Sequence, residues 1–125
     1  MNTTDRLLGS KEAAKALIEL IAKHLEDDKA EQIEILDLEG KADFAYFIVI
    51  ASGRSSKHIA STADKLADTL KEKGIQNIGI EGQAGGNWVL LDAHDVIVHL
   101  FRPEVRSEYE IEKIWGFKLD KQPAE

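Results

Sequence analysis

The chain contains no cysteine, which excludes disulfides, thiol nucleophiles and thiolate metal sites and fits a reducing compartment. Positive charge is also in short supply. Sixteen Lys and Arg stand against 23 Asp and Glu, a formal net charge of −7, the reverse of what a phosphate-neutralising surface needs. No sequence-specific contact with nucleic acid is expected. No apolar run is long enough to span a bilayer, and Met1 to Gly9 has neither the apolar core of a signal peptide nor an arginine-rich transit pattern. The expectation is a cytoplasmic protein without membrane contact. The four histidines, His24, His58, His94 and His99, lack metal-ligand spacing such as His-x-x-x-His. Internal repeats, low-complexity tracts and linkers are missing too.

What is present fits one domain of 125 residues, long enough to bury roughly two-thirds of its unfolded surface. Ser10 can cap a helix over residues 10–26, whose apolar Ala14, Leu17, Ile18, Ile21 and Leu25 follow three-four spacing. Ile33 to Leu38 alternates as a strand, and Glu39-Gly40-Lys41 turns the chain. Tyr46 to Ala51 is a continuous apolar run, the composition of a strand covered on both faces. Ser55 or Ser56 then caps a second helix with Ile59, Ala63, Leu66, Ala67 and Leu70 on its inner side, ended by Gly74. Ile75 to Glu81 reads as a weaker strand. The loop Gly82-Gln83-Ala84-Gly85-Gly86 that follows lacks the lysine and Ser/Thr of a P-loop and precedes no helix, so it is no phosphate cradle. After Pro103, residues 104–115 read as a third helix, and the tail from Gly116 should fray. The predicted class is α/β (α+β): a core over 33–115 with a single mixed sheet of about five strands and three helices, ordered αββαβββα.

The chain is organised around Gly86 to Phe101, two apolar runs broken by Asp92-Ala93-His94-Asp95, which predicts a hairpin. Strand alternation sends Val96, Val98 and Leu100 one way and Ile97, His99 and Phe101 the other. His99 therefore sits among apolar neighbours. Its plain reading is a hydrogen-bonded core or edge histidine, and Trp88, Asp92 and Asp95 share that structural alternative to a functional role. From Glu81 to Trp115 seven acids (Glu81, Asp92, Asp95, Glu104, Glu108, Glu110, Glu112) face three bases (Arg102, Arg106, Lys113). A basic protein suits this segment better than bare nucleic acid, unless the charge is only a solvated face.

The same stretch carries a resemblance. Gly86-x-Trp88-Val-Leu-Leu-Asp92-x-x-Asp95-Val-Ile-Val-His99-Leu-Phe101, continuing as Arg102-Pro-Glu-x-Arg106-x-x-Tyr109-x-Ile111-Glu112-x-Ile114-Trp115, resembles the signature of the ribosomal silencing factor (Iojap) family without a gap. Tyr46 to Gly53 with Ser55 and His58 is similar to that family's first block, and Glu81-Gly82 to its middle one. The chain departs from the pattern at Tyr46, where the family often carries an aspartate. The resemblance implies a nucleotidyltransferase-like fold without catalysis and binding to the large ribosomal subunit through ribosomal protein L-fourteen. It also implies a steric block on small-subunit joining that represses translation, with some members assisting large-subunit maturation. The contact is expected on Trp88, Leu91, Asp92, Asp95 and His99, with Tyr109 and Glu112 at the rim, an aromatic anchor in an acidic setting. An apolar sheet edge beside the hairpin would favour a homodimer.

The alternative is an enzyme on the same scaffold, because Gly53-Arg54-Ser55 before a helix resembles the glycine-serine turn of nucleotidyltransferases. That chemistry also needs an Asp-x-Asp/Glu pair on a following strand to hold magnesium. Asp64 and Asp68 fall on a helix, and Asp92 and Asp95 lie three apart across a turn. A small hydrolase pairing His99 with Asp92 is the other form of this alternative. No catalytic residue, metal or cofactor is expected.

Overall fold

The computed structural model describes residues 10–38, 45–82 and 85–105. Helix α1, Lys11–Asp27, starts where the Ser10 side chain accepts the Ala13 N–H at 3.0 Å, which satisfies one of the otherwise unpaired first-turn donors. Ala14, Leu17, Ile21 and Leu25 are buried along one stripe of it, as their spacing predicts. Strand β1, Glu31–Asp37, begins two residues before its expected start and carries an irregularity between Glu31 and Glu34, where Gln32 adopts φ 51°. All six residues of β2, Phe47–Ser52, are buried. This is the doubly covered strand that its unbroken apolar composition required.

Helix α2, Ser56–Glu72, is capped by Ser55, whose side chain accepts the His58 N–H at 3.0 Å. At its other end Gly74, at φ 98°, donates to the Lys71 carbonyl and Ile75 donates to the Leu70 carbonyl, the paired bonds of a Schellman motif. Ile75 is therefore spent on the cap and buried in the core. The strand expected from Ile75 shrinks accordingly to β3, Gly79–Glu81. Strands β4, Trp88–Asp92, and β5, Val96–Phe101, form the expected hairpin. Residues 103–105 open a helical turn after Arg102. The rest of the expected last helix and the tail lie outside the described residues.

The five strands form one mixed sheet in the order β1-β2-β5-β4-β3. Only β2 and β5 run parallel, with His99 opposite Ile50, and the other pairs are antiparallel. Period-two alternation gives the sheet two different faces. On one, Phe47, Val49, Ala51, Val89, Leu91, Val96, Val98 and Leu100 pack against the apolar stripes of α1 and α2 in the main core. On the other, Leu38, Ile48, Ile50 and Phe101 form a smaller cluster edged by Leu36, Trp88, Ile97 and Val105. Neither of the two described helices contributes to this second cluster.

Candidate functional site

The β4–β5 hairpin closes through the Ala93 N–H to the Val96 carbonyl at 3.0 Å, with His94 at φ 74° in the turn. Asp92 Oδ1 accepts the His94 N–H at 2.8 Å, the local side-chain bond that suits aspartate to turns. The His94 ring donates Nε2–H to the Gln76 carbonyl at 2.7 Å, since a carbonyl can only accept. The Asp95 carbonyl receives the N–H groups of Tyr46 at 2.8 Å and Phe47 at 3.3 Å. Asp92 and Asp95 thus build the turn and tie it to the start of β2, Tyr46 taking part through its backbone.

At the opposite end of the hairpin, Trp88 pairs with Phe101 and Leu90 with His99, while Glu81 of β3 pairs with Leu90. These side chains share the face away from the helices. The Trp88 ring lies 4.9 Å from Phe101 and 5.8 Å from His99, and His99 stacks on Phe101 at 6.0 Å, all between ring centres. The indole Nε1–H donates to His99 Nδ1 at 3.0 Å. Indole nitrogen is a donor only, so Nδ1 must be the bare nitrogen and the imidazole proton sits on Nε2. Only 6% of His99 is exposed, and that burial pulls its pKa down from 6.5 to about 4. It is neutral at physiological pH.

Trp88 and Leu90 are half-buried, Glu81 is exposed, and with Gly82 they line a pocket of about 240 Å³. Gly82 is held at φ 93°, where a Cβ would lie 2.2 Å from the Trp88 carbonyl oxygen, so only glycine lets the loop pass this close. Gly86, at φ 72°, likewise packs its bare Cα on Ser56. Gly82 and Gly86 thus serve close approach of the loop to its neighbours.

Of the seven residues expected to form the contact, Trp88 and His99 come together. Asp92 is four residues along β4 from Trp88, about 13 Å away at strand rise, and Asp95 lies beyond it in the turn. Leu91 is a correction. Strand alternation turns it to the helix-covered side, where it is 0% exposed within the main core and cannot touch a partner. Tyr109 and Glu112 lie outside the described residues. Leu90, Glu81 and Gly82 were not among the expected contacts, although Leu90 follows from Trp88 by the same alternation. Nor does His99 pair with Asp92: it stands opposite Leu90, and the Asp92 carboxylate accepts the His94 N–H.

His58, from the other motif, ties the two helices together. Its Nδ1 accepts the Arg54 N–H at 3.1 Å and its Nε2–H donates to the Asp28 carbonyl at 2.7 Å. The Asp28 carboxylate takes the Thr62 hydroxyl and, at 3.3 Å, the Lys65 ammonium. Burial pushes that carboxyl up, but the Thr62 and Lys65 hydrogen bonds and the positive charge of Lys65 together hold it below its ordinary 3.8. Asp64 and Asp68 are exposed on α2, and among the described residues no three His, Asp or Glu side chains converge to hold a metal.

One mixed sheet, with α1 and α2 closing one face and, among the described residues, an aromatic cluster beside Glu81 on the other, defines an α+β domain. A family model described as "Ribosomal silencing factor during starvation" matches residues 11–125. The ribosomal silencing factor RsfS of Zymomonas mobilis is 50% identical over 101 residues, covering 81% of this chain and 76% of that protein. That of Bacillus subtilis is 38% identical over 102 residues, covering 82% and 86%. A crystal structure of a Chromobacterium violaceum protein superposes with a TM-score of 0.78 at 35% identity, over 88% of this chain and 89% of that one. The chain belongs to the ribosomal silencing factor family.

Proposed function

We propose that the chain binds the large ribosomal subunit through ribosomal protein L-fourteen, on the sheet face away from the helices, and thereby blocks joining of the small subunit in the cytoplasm. The supporting observation is Trp88, half-buried on Phe101 and next to the pocket that Glu81 rims. An aromatic anchor of this kind can carry much of a binding energy, and the net charge of −7 steers the chain toward a basic partner. Asp92, exposed on the same strand, extends the negative rim. Binding blocks by occupancy, without turnover. A role in large-subunit maturation, drawn from the family resemblance, and a homodimer through an apolar sheet edge beside the hairpin are further parts of this reading.

Occupancy demands stoichiometry. Half-inhibition of translation should track the large-subunit concentration once that exceeds the dissociation constant. Protein added before the small subunit should prevent joining, whereas protein added to joined ribosomes should at first do little, because its surface is already covered. Inhibition at one molecule per hundred subunits would sink the occupancy mechanism and return an enzyme to first place. Binding to isolated L-fourteen should survive nuclease treatment and weaken with salt. Equal binding to protein-free ribosomal RNA would contradict it.

A further inference from the structure

We propose that His99 is a positioning residue for Trp88: its bare Nδ1 fixes the indole as one wall of the pocket, so that affinity for the protein partner depends on a hydrogen-bond acceptor at position 99. This rests on the reading of Trp88 as the contact anchor.

A tryptophan at a strand end has two side-chain torsions to settle. Contact with Phe101, at 4.9 Å between ring centres and tilted by 31°, restrains the ring, but the ring can still slide or turn over against that neighbour. The Nε1–H to Nδ1 bond at 3.0 Å removes that freedom, because it singles out one edge of the indole. With that edge directed at His99, the remainder of the ring meets Glu81, Gly82 and Leu90 at the pocket. The histidine suits the task because burial keeps it neutral. Neutral imidazole offers one acceptor nitrogen, and the donor-only indole decides which one that is. Leucine or phenylalanine at position 99 would fill the same space between Ile50 and Leu90 yet leave the half-buried indole N–H without this acceptor. A ring already fixed loses less freedom when a partner closes over it, and this is how a buried side chain that touches no partner raises affinity.

The test compares His99→Leu, which keeps bulk and removes the acceptor, with His99→Asn, whose amide oxygen falls near the place of Nδ1. Each is examined as the full chain by nitrogen-15 NMR and titrated with isolated L-fourteen, with Trp88→Phe assigning the indole signal. In the unmodified chain the His99 ring should show a bare Nδ1 and a protonated Nε2, and the Trp88 indole proton should exchange slowly with solvent. His99→Leu should move the indole signal, speed its exchange and weaken binding about tenfold. His99→Asn should recover part of both. A proton on Nδ1 in the unmodified chain overturns the proposal whether or not any variant folds. So does an indole signal that His99→Leu leaves in place, or full affinity in His99→Leu while Trp88→Ala loses binding. Failure of the anchor reading looks different: Trp88→Ala would itself keep full affinity, although the indole signal still answered to position 99.

Discussion

The two faces of the sheet are built from alternate residues of the same strands, yet they are closed to different degrees. On the helix side, Val89, Leu91, Val96 and Val98 are 0% exposed and packed against aliphatic helix residues. On the other side, the residues alternating with them on β4 include Trp88 and Leu90, half-buried, and β5 adds a histidine that accepts a hydrogen bond. One face is closed by packing against α1 and α2. The other keeps part of its apolar surface in reach of solvent, with Glu81 and Asp92 exposed beside it. Moving one residue along β4 therefore exchanges a fully buried side chain for one that is partly exposed.

Leu90 and Leu91 give the sharpest contrast. Leu91→Ala should cost about 3 kcal/mol of folding stability, the usual range for a buried leucine, and leave the affinity of the folded protein unchanged. Leu90→Ala should cost about 1 kcal/mol of stability and weaken binding. Denaturant melts and L-fourteen titrations on both variants check this, and equal stability losses would erase the difference between the faces.

Acid should act chiefly on the second face. Between its buried pKa of about 4 and its ordinary 6.5, His99 stays neutral in the folded chain while the unfolded chain takes up the proton. That uptake favours the unfolded chain, so stability is full above about 6.5, falls as pH drops from 6.5 toward 4, and is lower by up to about 3 kcal/mol below that. Asp28, whose carboxyl is held below 3.8, gives up its own contribution at still lower pH as it protonates. Urea melts at about pH 7 and about pH 4 should show the loss, and His99→Asn, which does not titrate, should flatten it. An unchanged slope in His99→Asn would locate the acid sensitivity elsewhere.

Trp88→Ala should remove about 2 kcal/mol of binding and less stability than Leu91→Ala, because its side chain lies at the edge of its cluster. A melting midpoint lowered as far as in Leu91→Ala, with binding retained in the cold, would make Trp88 a core residue. Glu81→Gln should have the smallest effect, about 0.5 kcal/mol of affinity, seen mainly as a shallower dependence of binding on salt.

Much of the fold is legible in the sequence because local chemistry and tertiary packing agree. Ser10 and Ser55 cap the helices that the three-four spacing predicts, and the unbroken run at β2 is the strand buried on both sides. The reading fails where one residue serves two signals. Ile75 has strand composition, but its N–H belongs to the cap of α2, and that bond outweighs its β propensity. The site was less legible. A motif marks Trp88, Leu91, Asp92, Asp95 and His99 alike, and only the pleat separates Leu91 from the face that Trp88 and His99 share. The indole–imidazole bond joins residues eleven positions apart, so it appears only once the hairpin register is known.

If the partner docks on the sheet face away from α1 and α2, the surface it covers can be read residue by residue. The most direct test of that docking is to titrate the nitrogen-15-labelled chain with isolated L-fourteen and map the signals that shift. The Trp88 indole and the amides of Glu81, Gly82, Leu90 and Asp92 should move together and saturate at one equivalent, with the outer sides of α1 and α2 unaffected. Shifts confined to Glu19, Lys23, Asp64 and Asp68 on those helices, with the Trp88 indole unmoved, would contradict it.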